Sequence, residues 1–122
     1  MQKQILIIED DIDLAKITKS LLEKSGYKVK IALDGAEALD MIFKEAIDLI
    51  VVDLKLIWIE GDIVIRMVKS YEKTKHISVI VMTGLPPEEA AKYDLRGAEM
   101  VLYKPVDPRL LLEKIKEVLL KP

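Results

Sequence analysis

Five short apolar runs, each followed by a stretch of helical period, constrain the fold of this chain more than anything else in it. The strand candidates are Gln4 to Ile8, Lys28 to Ala32, Leu49 to Val52, Ser78 to Met82 and Met100 to Tyr103. The first, third and fourth are nearly all apolar, which suits central parallel strands covered on both faces. Lys28-Val29-Lys30-Ile31 alternates instead, as an edge strand with one face in water does. Between the runs lie helices. Asp11 to Ser25 aligns Leu14, Ala15, Thr18, Leu21 and Leu22 on one stripe, and Gly26 supplies a left-handed stop. Asp34 with Glu37 three residues on reads as a capping box for the second helix, which carries Leu39, Ile42 and Phe43. Val64, Met67, Val68 and Tyr71 mark a third helix, Pro87 to about Tyr93 a short fourth, and Asp107-Pro108 opens a fifth with Leu111, Ile115, Val118 and Leu119 inward. Strict alternation of strand and helix with right-handed crossovers predicts an α/β fold with helices on both faces of a parallel sheet.

At 122 residues the chain fits one domain, residues 1–122, with no linker or repeat. A composition of 51% hydrophobic and 33% charged residues is that of a soluble protein, and no apolar run approaches the roughly 20 residues of a membrane span. The opening Met1-Gln2-Lys3-Gln4 leaves no room for a signal peptide, and the absence of cysteine removes disulfides and thiol chemistry, so a cytoplasmic location is expected. A net charge of −2 with interspersed signs offers no basic face for nucleic acid or an anionic membrane.

The apolar strands hold charge only at their ends, and there it is patterned. Glu9-Asp10-Asp11 follows the first strand, Asp53 the third, Thr83-Gly84 the fourth and Lys104-Pro105 the fifth. In an open parallel sheet these ends converge where ligands bind. Crowded carboxylates repel one another unless a cation sits among them, and a hard divalent ion is the natural occupant. The competing reading is that Asp10 or Asp11 simply caps the next helix. Taken together, a carboxylate cluster, a hydroxyl, a small residue and an ammonium are the parts needed to move a phosphoryl group onto an acidic side chain. In that chemistry Asp53 is the nucleophile. Mg²⁺ is held by Asp11, Asp53 and the backbone carbonyl of Lys55, Asp10 orients its waters, Thr83 and Lys104 hold phosphoryl oxygens, and Gly84 leaves room for the donor. A cis Lys104–Pro105 bond is considered at the end of the fifth strand.

The ordered set of Asp10 and Asp11, Asp53, Gly61 eight residues later, Thr83 with Gly84, and Lys104-Pro105 resembles the receiver domain of two-component response regulators. The resemblance spans essentially the whole chain. It implies a flavodoxin-like, three-layer α/β/α sandwich with a five-stranded sheet of order 2-1-3-4-5. It also implies phosphotransfer from a phosphohistidine of a sensor histidine kinase or phosphotransfer protein to Asp53, slow self-catalysed hydrolysis, and a phosphorylation-dependent downstream effector or output domain. Such a domain is a switch and not a conventional turnover enzyme, working as a monomer or weak dimer. The alternative within the same fold is an interaction module that acts without phosphorylation. An aspartyl-phosphate hydrolase is disfavoured because Lys55 stands where its second aspartate belongs.

The chain departs from the family pattern in places. Leu56-Ile57 replaces a frequent Met-Pro, so the loop lacks a stiffening proline, and Val101 occupies the position of the usual switch aromatic while the aromatic is Tyr103. Signalling is therefore expected through the Thr83 to Glu89 loop and the fourth helix. Lys55 and Leu85, two residues after Asp53 and Thr83, line the pocket in this family and are expected to exclude water, giving a long-lived phosphoaspartate. His76 reads as a solvated loop residue. Trp58 with Ile57 and Ile59 either packs locally or forms a partner patch, and the leucines of the fifth helix exceed one face.

Overall fold

The computed structural model describes residues 2–121 and consists of a five-stranded sheet between two helical layers. The strands are β1 (Gln4–Ile8), β2 (Lys28–Ala32), β3 (Leu49–Val52), β4 (Ser78–Thr83) and β5 (Met100–Tyr103). The helices are α1 (Ile12–Lys24), α2 (Gly35–Lys44), α3 (Gly61–Ser70), α4 (Pro87–Ala90) and α5 (Pro108–Leu120). The sheet order is β2-β1-β3-β4-β5, with every pairing parallel, which is the flavodoxin-like order 2-1-3-4-5 expected from the sequence.

Period-two alternation divides the sheet's side chains between two cores. Leu6 and Ile8 of β1, with Ile50 and Val52 of β3, meet α2 through Ala38 and Ile42 and α3 through Val64, Ile65 and Val68. Ile5 and Ile7, with Leu49 and Val51, meet α1 through Ala15 and Leu22 and α5 through Leu111 and Ile115. β1, β3 and β4 therefore have no wet face, which is why they read as continuous apolar runs. β2 is an edge, its Lys28 exposed and Val29 buried. β5 is the other edge, with Tyr103 exposed, although its composition does not alternate as that of β2 does.

Local signals hold at most boundaries. Asp11 Oδ1 accepts from the Leu14 amide at 3.1 Å and caps α1, which ends ahead of Gly26 at φ +97°. Asp34 Oδ1 accepts from the Glu37 amide at 2.8 Å, but Glu37 returns only a 3.5 Å contact to the Leu33 amide, so the capping box is half made. Three expectations change. Tyr71 lies outside α3 as its extended C-cap, edge-on to Phe43 at 5.3 Å. α4 stops at Ala90 and not near Tyr93, because the Lys92 and Tyr93 amides bond three residues back and tighten the chain into turns. β4 runs one residue longer than expected, taking in Thr83.

Candidate functional site

Hydrogen bonding continues one step past the strands and thereby sets the site. The Glu9 amide donates to the Ala32 carbonyl at 3.0 Å, the Asp53 amide to Ile8 at 3.2 Å, and the Lys104 amide to Thr83 at 2.7 Å. Because Ile8 pairs with Val52, the next residues, Glu9 and Asp53, come side by side. The Lys104–Pro105 peptide is cis.

Lys104 joins them from the other side of the sheet. Its Nζ donates to Asp53 Oδ2 at 2.9 Å and to Glu9 Oε1 at 2.5 Å, and all three side chains are largely shielded from water. Burial works against the ammonium, but its hydrogen bonds to Glu9 and Asp53 outweigh that and raise its pKa above the ordinary lysine value. For Glu9 the balance falls the other way: burial raises its pKa, and the hydrogen bond from Lys104 recovers only part of the loss. Each group has a partner, and no buried polar side-chain atom among the described residues lacks one.

One oxygen each from Glu9, Asp10 and Asp53 lies within 4.8 Å of the others. This group differs by one position from the acidic pair read from the sequence. Glu9, given no role among the metal ligands read from the sequence, is buried at the centre, whereas Asp11, expected as a metal ligand, is exposed and caps α1 through one carboxylate oxygen. Asp10 remains exposed at the rim. The strand register could have signalled this, since the residue directly after β1 is the one that continues the ladder beside Asp53.

The remaining candidates are placed as follows. Thr83 is fully buried, and its Oγ1 accepts from the Leu85 amide at 3.1 Å. Gly84 is exposed, and a Cβ there would meet only Lys104 Cδ at 3.9 Å. The Lys55 amide approaches Asp53 Oδ1 at 3.4 Å, while its ammonium turns outward to Glu60 Oε1 at 3.1 Å, an oxygen that the Tyr93 hydroxyl reaches at 3.5 Å. Glu60, not singled out in the sequence, thus ties the loop after Asp53 to the turns after α4. Gly61 packs so tightly that a Cβ would strike the Asp53 carbonyl. An apolar cleft of about 380 Å³ opens beside Lys104 between α1 and α5, lined by Leu14, Val106 and Leu111 among others.

The family model of the response regulator receiver domain matches residues 5–116, a span that contains every group just described. The chain belongs to this family. Among receiver-domain relatives, the polar-differentiation response regulator DivK of Brucella ovis is 32% identical over 120 residues, covering 98% of both chains. Among solved structures, a CheY-like response regulator receiver domain protein from Methanospirillum hungatei JF-1 superposes with a TM-score of 0.90 at 38% identity, covering 98% of this chain and 94% of that one. The response regulator protein TrrA from Thermotoga maritima, solved in complex with Mg(2+)-BeF, matches with a TM-score of 0.85 at 26% identity over 96% and 99% of the two chains. A phosphoacceptor role is thus supported for this receiver domain in general terms, and none of its described helices is long and apolar enough to cross a membrane.

Proposed function

We propose that this receiver domain accepts a phosphoryl group on Asp53 from a phosphohistidine of a sensor histidine kinase or histidine phosphotransfer protein, in a Mg²⁺-dependent reaction, and so switches its binding to a downstream effector. The observation that carries this reading is the Lys104 ammonium set between the buried carboxylates of Glu9 and Asp53, 2.9 Å from the latter. An ammonium there holds the acceptor in place at rest and can pass to a phosphoryl oxygen once the acceptor becomes an acyl phosphate.

The donor set fits a hard divalent ion: three carboxylates with oxygens within 4.8 Å carry more negative charge than one lysine offsets. Glu9, Asp10 and Asp53 would hold the ion, with the backbone carbonyl of Lys55 as a further ligand, and Asp11 is left to α1. When bound, Mg²⁺ would supply positive charge to offset the negative charge developing on the phosphoryl oxygens. In the transfer, a bond forms between an Asp53 oxygen and phosphorus while the phosphorus–nitrogen bond breaks, and the released imidazole nitrogen takes up a proton. Lys104 and Thr83 then hold phosphoryl oxygens. The Thr83 hydroxyl can donate to a phosphoryl oxygen while its Oγ1 accepts from the Leu85 amide, which couples phosphorylation to the loop leading into α4. Val101 is half-buried and Tyr103 lies on the exposed edge, so this loop carries the signal instead of an inward-turning aromatic. The apolar cleft beside Lys104 offers a partner helix a footing next to the acceptor.

Phosphoramidate, a small donor with a phosphorus–nitrogen bond, tests the reading. Intact-mass measurement should show one added phosphoryl group with Mg²⁺, and none with chelator or in Asp53→Asn. Equal uptake without the metal, or uptake retained in Asp53→Asn, would contradict it.

A further inference from the structure

The β3–α3 loop turns tightly at Trp58, where the Ile59 amide donates to the Ile57 carbonyl at 2.9 Å. Trp58 has φ +71°, the single positive value at a non-glycine residue among the described residues, although bulky side chains avoid that region. Nothing in the domain compensates through packing, because Trp58 is 84% exposed and its neighbour Ile57 53% exposed. Backbone strain that presents a side chain outward is a reason to look for a partner. The presentation is also firm. Ile59 lies so close to Gly35 that a Cβ on the glycine would strike the Ile59 carbonyl, which fixes this loop against the start of α2. On that side the β2–α2 loop adds Leu33, also exposed. The surface here is apolar at its centre and acidic at its edge. Asp11, Asp34 and Glu37 sit at this end of the sheet with no cation paired to them among the described residues, and the Lys55 ammonium is matched by Glu60.

We infer that Leu33, Ile57 and Trp58 form a docking surface for a basic amphipathic helix of a partner protein, distinct from the phosphoryl pocket. An apolar stripe would cover Trp58, a residue type that dominates binding energy at interfaces, while flanking Lys or Arg meets the acidic edge. That same edge disfavours an anionic membrane. Binding requires no phosphoryl group, so its measurement stands apart from that of phosphotransfer.

The probe is a dye-labelled helical peptide of leucine and lysine in amphipathic order, compared by anisotropy with a peptide of the same composition in scrambled order, with no phosphoryl donor present. The wild-type chain should prefer the amphipathic peptide by about tenfold or more, equivalent to 1.4 kcal/mol. Trp58→Ala should abolish the preference, and Asp34→Asn with Glu37→Gln should weaken it and flatten its salt dependence. Asparagine still caps α2, and Trp58 buries little, so both variants should keep the wild-type circular dichroism. Equal affinity for the two peptides, or an unchanged preference in Trp58→Ala, overturns the inference. So does a blue shift of Trp58, the only tryptophan, with phosphatidylcholine vesicles but not with the peptide.

Discussion

Lys104 is the cation that lets Glu9 and Asp53 share the end of one sheet, and its removal should be felt in stability as well as in chemistry. Its pKa is raised in the folded state above the ordinary 10.5, so the stabilisation it brings is fully present below that value and is lost as pH rises through the folded pKa. Lys104→Met should cost about 3 kcal/mol near neutral pH, because two shielded carboxylates lose their counter-charge. Glu9 is already raised above its ordinary 4.5 by burial, and without Lys104 it rises further. The folded variant then takes up a proton before the unfolded chain does, so the deficit should shrink as pH falls toward about 5. Urea unfolding at several pH values checks this; a deficit independent of pH would mean that Glu9 is not the group left uncompensated. Of the residues named in the sequence, Asp53, Thr83 and Lys104 are brought to the same end of the sheet. The acidic triplet was ambiguous by one position, since three adjacent carboxylates look alike until strand pairing selects one and helix capping claims another.

At the scale of elements, the loop from Asp53 to α3 is held by close backbone packing and by Glu60. Gly61→Ala should destabilise the domain by about 1 to 3 kcal/mol and slow phosphoryl uptake, because the new methyl displaces the Asp53 carbonyl. A variant with normal melting temperature and normal uptake would show that the loop yields freely. The Lys55 ammonium is drawn to Glu60, so only its stem, with half-buried Leu85, remains near the pocket. Replacing Lys55 and Leu85 with small polar residues should shorten the phosphoaspartate lifetime, measured as loss of added mass after the donor is removed; an unchanged lifetime would dismiss water exclusion. Strand positions were readable because doubly covered strands must be apolar throughout. The end of α4 was not, although its start at Pro87 was, because Pro-Glu-Glu-Ala opens a turn whose continuation depends on packing that no local periodicity records.

For the whole molecule, a parallel sheet with two dry cores puts stability in the middle layer and chemistry at one end. Binding at that end should therefore add to stability without altering the fold. Mg²⁺ at a hundred times its dissociation constant should stabilise the chain by about 2.7 kcal/mol, and Asp10→Asn should lose most of that gain. Calorimetry with and without the ion measures it, and an equal gain in both proteins would place the ion elsewhere. The two helical layers follow from the alternation of apolar runs and the sheet order from the family resemblance, whereas the pairing of Lys104 with both Glu9 and Asp53, from three separate strand ends, is visible only in the folded chain. On the proposed function, Asp53 is the acceptor in that group. Borohydride reduces an aspartyl phosphate to homoserine, so the most direct measurement is to phosphorylate the chain with a small donor and Mg²⁺, reduce it, and sequence the digest. Homoserine at position 53 alone is the expected result; homoserine at position 9, 10 or 11, or at none, would contradict the account.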